Sequence, residues 1–187
     1  MKLNKIKTFC KNSGQVLLYD TTDGRQIISD GVAYWPVEGI TLSEDALRTI
    51  FEMSNKSWSK KISFEHIYYD DEDCKDTRGW IPERLLAMEW DAAAETQMEP
   101  VDGRVEYLGK PFKVFASDDG KKILVPDAQL KAITDDAHYY MIRNDGTYRM
   151  LAVYDSMLLA GLVTTINAIT AKDIVTMVRS ITEGEFV

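Results

Sequence analysis

Histidine and cysteine are scarce, with two of each in 187 residues. Cys10 and Cys74 stand far apart in unlike surroundings, which excludes a disulfide framework and a paired-cysteine metal site. His66 and His138 each sit in a strand pattern beside tyrosines, with no nucleophile elbow nearby. A nucleophilic triad therefore has no recognisable frame, and both read as ordinary strand histidines. Long apolar runs are missing too. Even Met157 to Ile169 is interrupted by Gly161, Thr164, Thr165 and Asn167, well short of the roughly 18 apolar residues of a membrane span. The start of the chain alternates lysine with apolar residues and has no small-residue cleavage site, so a secretory leader is not expected. The expected compartment is the cytoplasm, with no membrane partner. Phosphate loops are also absent, because Arg104 and Phe115 occupy the positions where Gly109-Lys110 and Gly120-Lys121 would need an earlier glycine. No catalytic residue, metal site or cofactor is assigned, and enzymatic activity is not expected.

What is present is ordinary for a globular chain, 45% hydrophobic and 28% charged, which argues against wholesale disorder. The net charge of −8 is concentrated in the middle. Residues 1–61 carry 9 Lys and Arg against 7 Asp and Glu, residues 62–107 carry 4 against 13, and residues 108–187 carry 9 against 10. Acidity of this size opposes nonspecific association with a phosphate backbone, so DNA is disfavoured as a partner unless a local basic face exists.

The order of elements is legible from spacing. Leu3, Ile6, Phe9 and Cys10 fall on one helical face, ending near Gly14. Gln15 to Asp20, Arg25 to Ser29 and Val32 to Val37 read as an antiparallel meander because Asp23-Gly24 and Asp30-Gly31 supply tight turns. Thr41 with Glu44 resembles a capping box for a helix through Leu42, Ala46, Leu47, Ile50 and Phe51. Lys61 to Tyr69 alternates like a strand, and Pro82 fits the first turn of a helix carrying Leu85, Leu86, Trp90, Ala93 and Ala94. Strands are expected at Val105 to Leu108, Lys113 to Ala116 and Lys121 to Val125. A short helix from Pro126 or Asp127 precedes strands at His138 to Arg143, Tyr148 to Tyr154 and Met157 to Ile166. Thr170 then starts a helix with Ile174, Met177, Val178 and Ile181. Helix, three strands and helix thus occur twice, over Ile6 to Phe51 and Leu130 to Ile181, as a pseudo-repeat. With no Ser/Gly-rich linker, the expectation is one α+β domain over 1–187. It comprises a first half (1–53), an acidic and partly mobile insertion (54–104) and a second half (105–187).

Two surfaces are candidates for function. The first helix projects Lys5, Lys7 and Lys11, joined by Lys131 and Lys172 from the second half, as a DNA-facing set; a plain solvated helix is the alternative. The run Asp70, Asp71, Glu72, Asp73 and Asp76 reads as a solvated, partner-facing loop, and its sixth position lacks the glycine of a calcium loop begun at Asp71. Tyr34, Trp35, Trp58, Trp80 and Trp90 either fill a core or anchor a partner.

Lys122 to Ile133 (KILVPDAQLKAI) followed by YYMIRNDGTYRMLAVYDSMLLAGLVTTI resembles the closing repeat of a DNA sliding clamp domain. The whole chain is also similar to small acidic prophage proteins of no known activity. The clamp resemblance implies a positively charged helical surface, assembly of several copies and no catalysis, hence a non-enzymatic accessory protein with a protein partner. The alternatives are an acidic inhibitor or DNA mimic presenting residues 65–106, and a metal-dependent enzyme using Asp70 to Asp76.

Overall fold

A computed structural model describes residues 3–37, 39–54, 62–69, 81–88, 96–107, 109–133, 139–156 and 158–166. Helix α1 (Leu3–Ser13) ends at Gly14, whose φ of 75° lets its N–H reach the Cys10 carbonyl at 3.0 Å. The chain then enters β1 (Gln15–Asp20), β2 (Gln26–Ser29) and β3 (Ala33–Val37), an antiparallel meander as the spacing predicts. Helix α2 (Glu44–Ile50) follows, capped by Ser43 instead of Thr41. The Ser43 side chain accepts from the Ala46 N–H, so the capping hydroxyl sits two residues later than expected.

β4 (Ser63–Tyr68) lies parallel to β1, a pairing that alternation alone could not indicate. Of the helix expected from Pro82, the described residues form one turn, α3 (Glu83–Leu86), which ends where Ala87 takes extended backbone at ψ 144°; its Trp90, Ala93 and Ala94 lie outside the described residues. After β5 (Thr96–Gln97), strands β6 (Glu99–Tyr107), β7 (Lys110–Ala116) and β8 (Lys122–Pro126) make a separate antiparallel sheet. Helix α4 (Asp127–Ile133) leads to a second antiparallel meander, β9 (Tyr139–Asn144), β10 (Arg149–Asp155) and β11 (Leu158–Thr164). The architecture is mixed α and β and mostly sheet. The helix expected after Thr170 and the acidic run Asp70 to Asp76 lie outside the described residues.

Two hairpins share one turn chemistry. In Thr21-Thr22-Asp23-Gly24-Arg25 and Ser117-Asp118-Asp119-Gly120-Lys121 the glycine takes φ 79° and donates to the first residue's carbonyl at 2.9 Å. In both, the hydroxyl donates to the aspartate and the closing cation pairs with that carboxylate. Hydrogen bonds and charge from Lys121, with the Ser117 hydroxyl, hold the Asp119 carboxyl down at about 2. These contacts explain why a polar five-residue stretch between apolar runs folds as a hairpin.

The larger sheet runs β4-β1-β2-β3-β11-β10-β9-β5. The third strands of the two meanders meet at its centre, Leu162 opposite Tyr34 and Val163 opposite Ala33. Alternation along each strand divides its side chains between two cores. Val16, Leu18, Ile28, Trp35, Leu151, Val153 and Val163 face α1, α2, α4 and the smaller sheet. Leu17, Tyr19, Ile27, Tyr34, Ile67, Met150, Ala152 and Leu162 face the other way, covered by Tyr69, Ile81, Leu85 and Leu86. Tyr69 and the segment from Ile81 to Met88 thus supply the second face with apolar cover. Arg143, fully buried, fixes that cover by donating to the Leu85 and Ala87 carbonyls at 2.8 and 2.6 Å, and it also bonds the Tyr154 hydroxyl.

Candidate interaction face

The lysines of α1 are placed by what its apolar residues bury. Ile6 and Cys10 are fully buried, with Leu3 and Phe9 packed at the core's margin, and Phe9 stacks on Trp35 at 6.1 Å. The remaining arc carries Lys5, Lys7 and Lys11 with no acidic residue, and Lys11 lies in the last turn, where a cation suits the helix dipole.

Helix α4 packs beside α1 on the same sheet face. Both are tied to the β2–β3 turn. The Cys10 thiol donates to the Ser29 carbonyl at 3.7 Å, and the Gln129 amide donates to the Asp30 carboxylate at 3.5 Å. Asp30 also accepts from the Val32 and Ala33 N–H groups. Burial nonetheless lifts its carboxyl above the usual carboxylate range, and buries the Cys10 thiol in a setting that raises it as well.

Of the four expected lysines, Lys5 and Lys131 are brought together: the Lys5 ammonium reaches the Lys131 carbonyl at 3.4 Å. The Lys131 ammonium pairs with Asp127, one helical turn earlier, at 2.7 Å. Lys7 reaches across to Glu52 beyond the end of α2 at 2.6 Å, and that bond and charge hold the Glu52 carboxyl below its ordinary range. Lys11 is half-buried at the far end of α1. Among the described residues this strip of α1 and α4 thus carries Lys5, Lys7, Lys11 and Lys131, with Glu52 paired to Lys7 and Asp127 paired to Lys131. Beyond it, α2 carries Glu44 and Asp45, with Arg48 paired to Glu44 at 2.6 Å.

Tyr34 and Trp35 are core residues, while Trp58, Trp80, Trp90, His138 and Lys172 fall outside the described residues. So do all five carboxylates of the acidic loop. Among the described residues no group of three or more His, Cys, Asp and Glu side chains is placed to hold a metal ion, and no helix is long and apolar enough to cross a membrane.

One polar arrangement was not foreseen from the spacing. His66 bonds Asp20 at 2.9 Å and Tyr68 at 2.8 Å, a chain created by the parallel β1–β4 register. The signal within reach was that His66 and Tyr68, two apart in a strand, share a face; Asp20 enters only through tertiary pairing. In comparisons with known proteins, no family model, no curated protein and no solved structure matches this chain.

Proposed function

We propose that residues 3–37 and 127–164 form a pseudo-repeat of the sliding-clamp kind. On this reading the chain is a non-enzymatic interaction protein whose α1–α4 face meets the phosphate backbone of a DNA duplex. The observation that carries the reading is the arrangement of the large sheet. Each helix precedes a three-stranded meander, the third strands β3 and β11 pair at the centre, and both helices lie side by side on one face. Such an arrangement places two helices where a shared ligand touches both. The lysine heads on them provide phosphate contacts and no base readout, so binding is sequence-tolerant. A clamp-like role also calls for assembly of several copies, since one chain with one such face cannot surround a duplex.

Salt titration of duplex binding tests this directly. With about four lysines engaged, log K is expected to fall by roughly 3.6 per tenfold rise in salt, and the chain's charge confines binding to low ionic strength. The triple change Lys5→Gln, Lys7→Gln, Lys11→Gln is expected to abolish binding and leave the melting temperature nearly unchanged. Absence of low-salt binding, or binding that survives the triple change, overturns the site. Capture of a DNA-binding protein in place of duplex would redirect attention to the acidic residues 70–76.

A further inference from the structure

We propose that Tyr68 is a covalent acceptor site, whose phenol takes an acyl group from a neutral activated acyl donor with His66 as its general base. This rests on the β1–β4 edge and is independent of the α1–α4 reading.

The parallel register sets Leu18 opposite His66 and Asp20 opposite Tyr68, so all three polar side chains stand on one face at the end of the edge strand. Asp20 is held from both sides. Its Oδ1 accepts from the Gln26 amide at 2.7 Å, and Oδ2 faces His66 Nε2 at 2.9 Å. Gln26 in turn is clamped to Leu42, donating to its carbonyl at 3.0 Å and accepting from its N–H at 2.6 Å. An ionised carboxylate only accepts, so in the neutral imidazole the tautomer that bonds Asp20 carries its proton on Nε2 and its lone pair on Nδ1. Tyr68 Oη lies 2.8 Å from that Nδ1, the two rings 4.1 Å apart and tilted by 31°. Hydroxyl, imidazole and carboxylate therefore stand in the order of an activated nucleophile, its base and the group that orients the base. His66 is shielded, its side chain 14% exposed, whereas Tyr68 is 62% exposed and open to an approaching reagent.

The step balances within these groups. Tyr68 Oη attacks the acyl carbon while its proton passes to His66 Nδ1, and Asp20 stabilises the imidazolium. The bond from the acyl carbon to the leaving group then breaks, and the leaving group carries off that proton, leaving an aryl ester on Tyr68. A neutral donor is indicated because Asp20 places a carboxylate at the site, which disfavours an anionic one. Asp20 and Gln26 are positioning residues.

N-acetylimidazole is the probe, used on the full chain with site-resolved mass spectrometry. Tyr139, 47% exposed and edge-on against Tyr154, bonds no imidazole among the described residues and is the internal reference. Tyr68 is expected to be esterified at least about tenfold faster than Tyr139 in the wild type. His66→Gln and Asp20→Asn, the latter nearly isosteric, are expected to bring the ratio close to one at unchanged Tyr139 rate. A wild-type ratio near one overturns the proposal without any variant, and so does a high ratio that survives His66→Gln.

Discussion

The two helix-and-meander units are built alike and finished differently. In residues 3–37 an eleven-residue helix precedes the strands, and the outer strand β1 gains a six-residue parallel neighbour, β4. In residues 127–164 a seven-residue helix grows straight out of β8, and the outer strand β9 has only the two-residue β5 at its flank. The contrast extends to what each unit does with polarity. The first uses its edge to assemble Asp20, His66 and Tyr68 within reach of solvent. The second turns inward, burying Arg143 against backbone carbonyls and Tyr154 to hold the segment containing α3 beneath the sheet. A common strand scaffold thus leaves chemistry to whatever is attached at its margins, because side chains on the paired central strands are committed to the two cores.

The comparison breaks most readily at the central joint. Leu162→Ala removes a fully buried side chain from the β3–β11 contact and is expected to cost about 2–5 kcal/mol, measured by urea denaturation. A loss under about 1 kcal/mol would mean that the units do not depend on each other through this pair. Next comes Arg143→Met, which deletes bonds to Leu85 and Ala87 carbonyls and is expected to cost about 1–3 kcal/mol. Limited proteolysis near residues 81–88 should then accelerate, and an unchanged cleavage rate would detach Arg143 from that role.

A smaller effect separates the units by pH. Asp30, in the first unit, has its carboxyl raised by burial, so the folded chain holds a proton there at pH values where the unfolded chain has lost it. Stability linked to Asp30 therefore falls as pH rises through the interval above the ordinary carboxylate value. Asp30→Asn keeps an acceptor for the Val32 and Ala33 N–H groups and is expected to flatten that slope in thermal melts across mildly acidic pH. The least expected change is in the lysines of α1. Replacing Lys5, Lys7 and Lys11 by Gln should shift stability by no more than about 0.5 kcal/mol, since their heads serve the surface and not the core.

Local order was legible wherever the chain's own neighbours settle it. The lysine-bearing helix followed from the spacing of Leu3, Ile6, Phe9 and Cys10, and three of the four meander turns followed from Asp-Gly pairs whose glycines take positive φ. The helix expected from Pro82 is interrupted at Ala87, since apolar residues at helical spacing also suit a single turn pinned by a distant arginine. Thr41 lost the cap of α2 to Ser43, two positions on, where a hydroxyl reaches the Ala46 N–H.

The amino-acid sequence by itself determined the apolar faces, the turns, the uneven charge and the lysines of α1, all consequences of residues a few positions apart. Only the tertiary structure decided that β3 meets β11, that β4 runs parallel to β1, and that α1 and α4 lie together. Those pairings join residues tens of positions distant, and many registers satisfy the same alternation. The choice among them falls to burial of both faces of one sheet at once, a condition that no local stretch of chain carries.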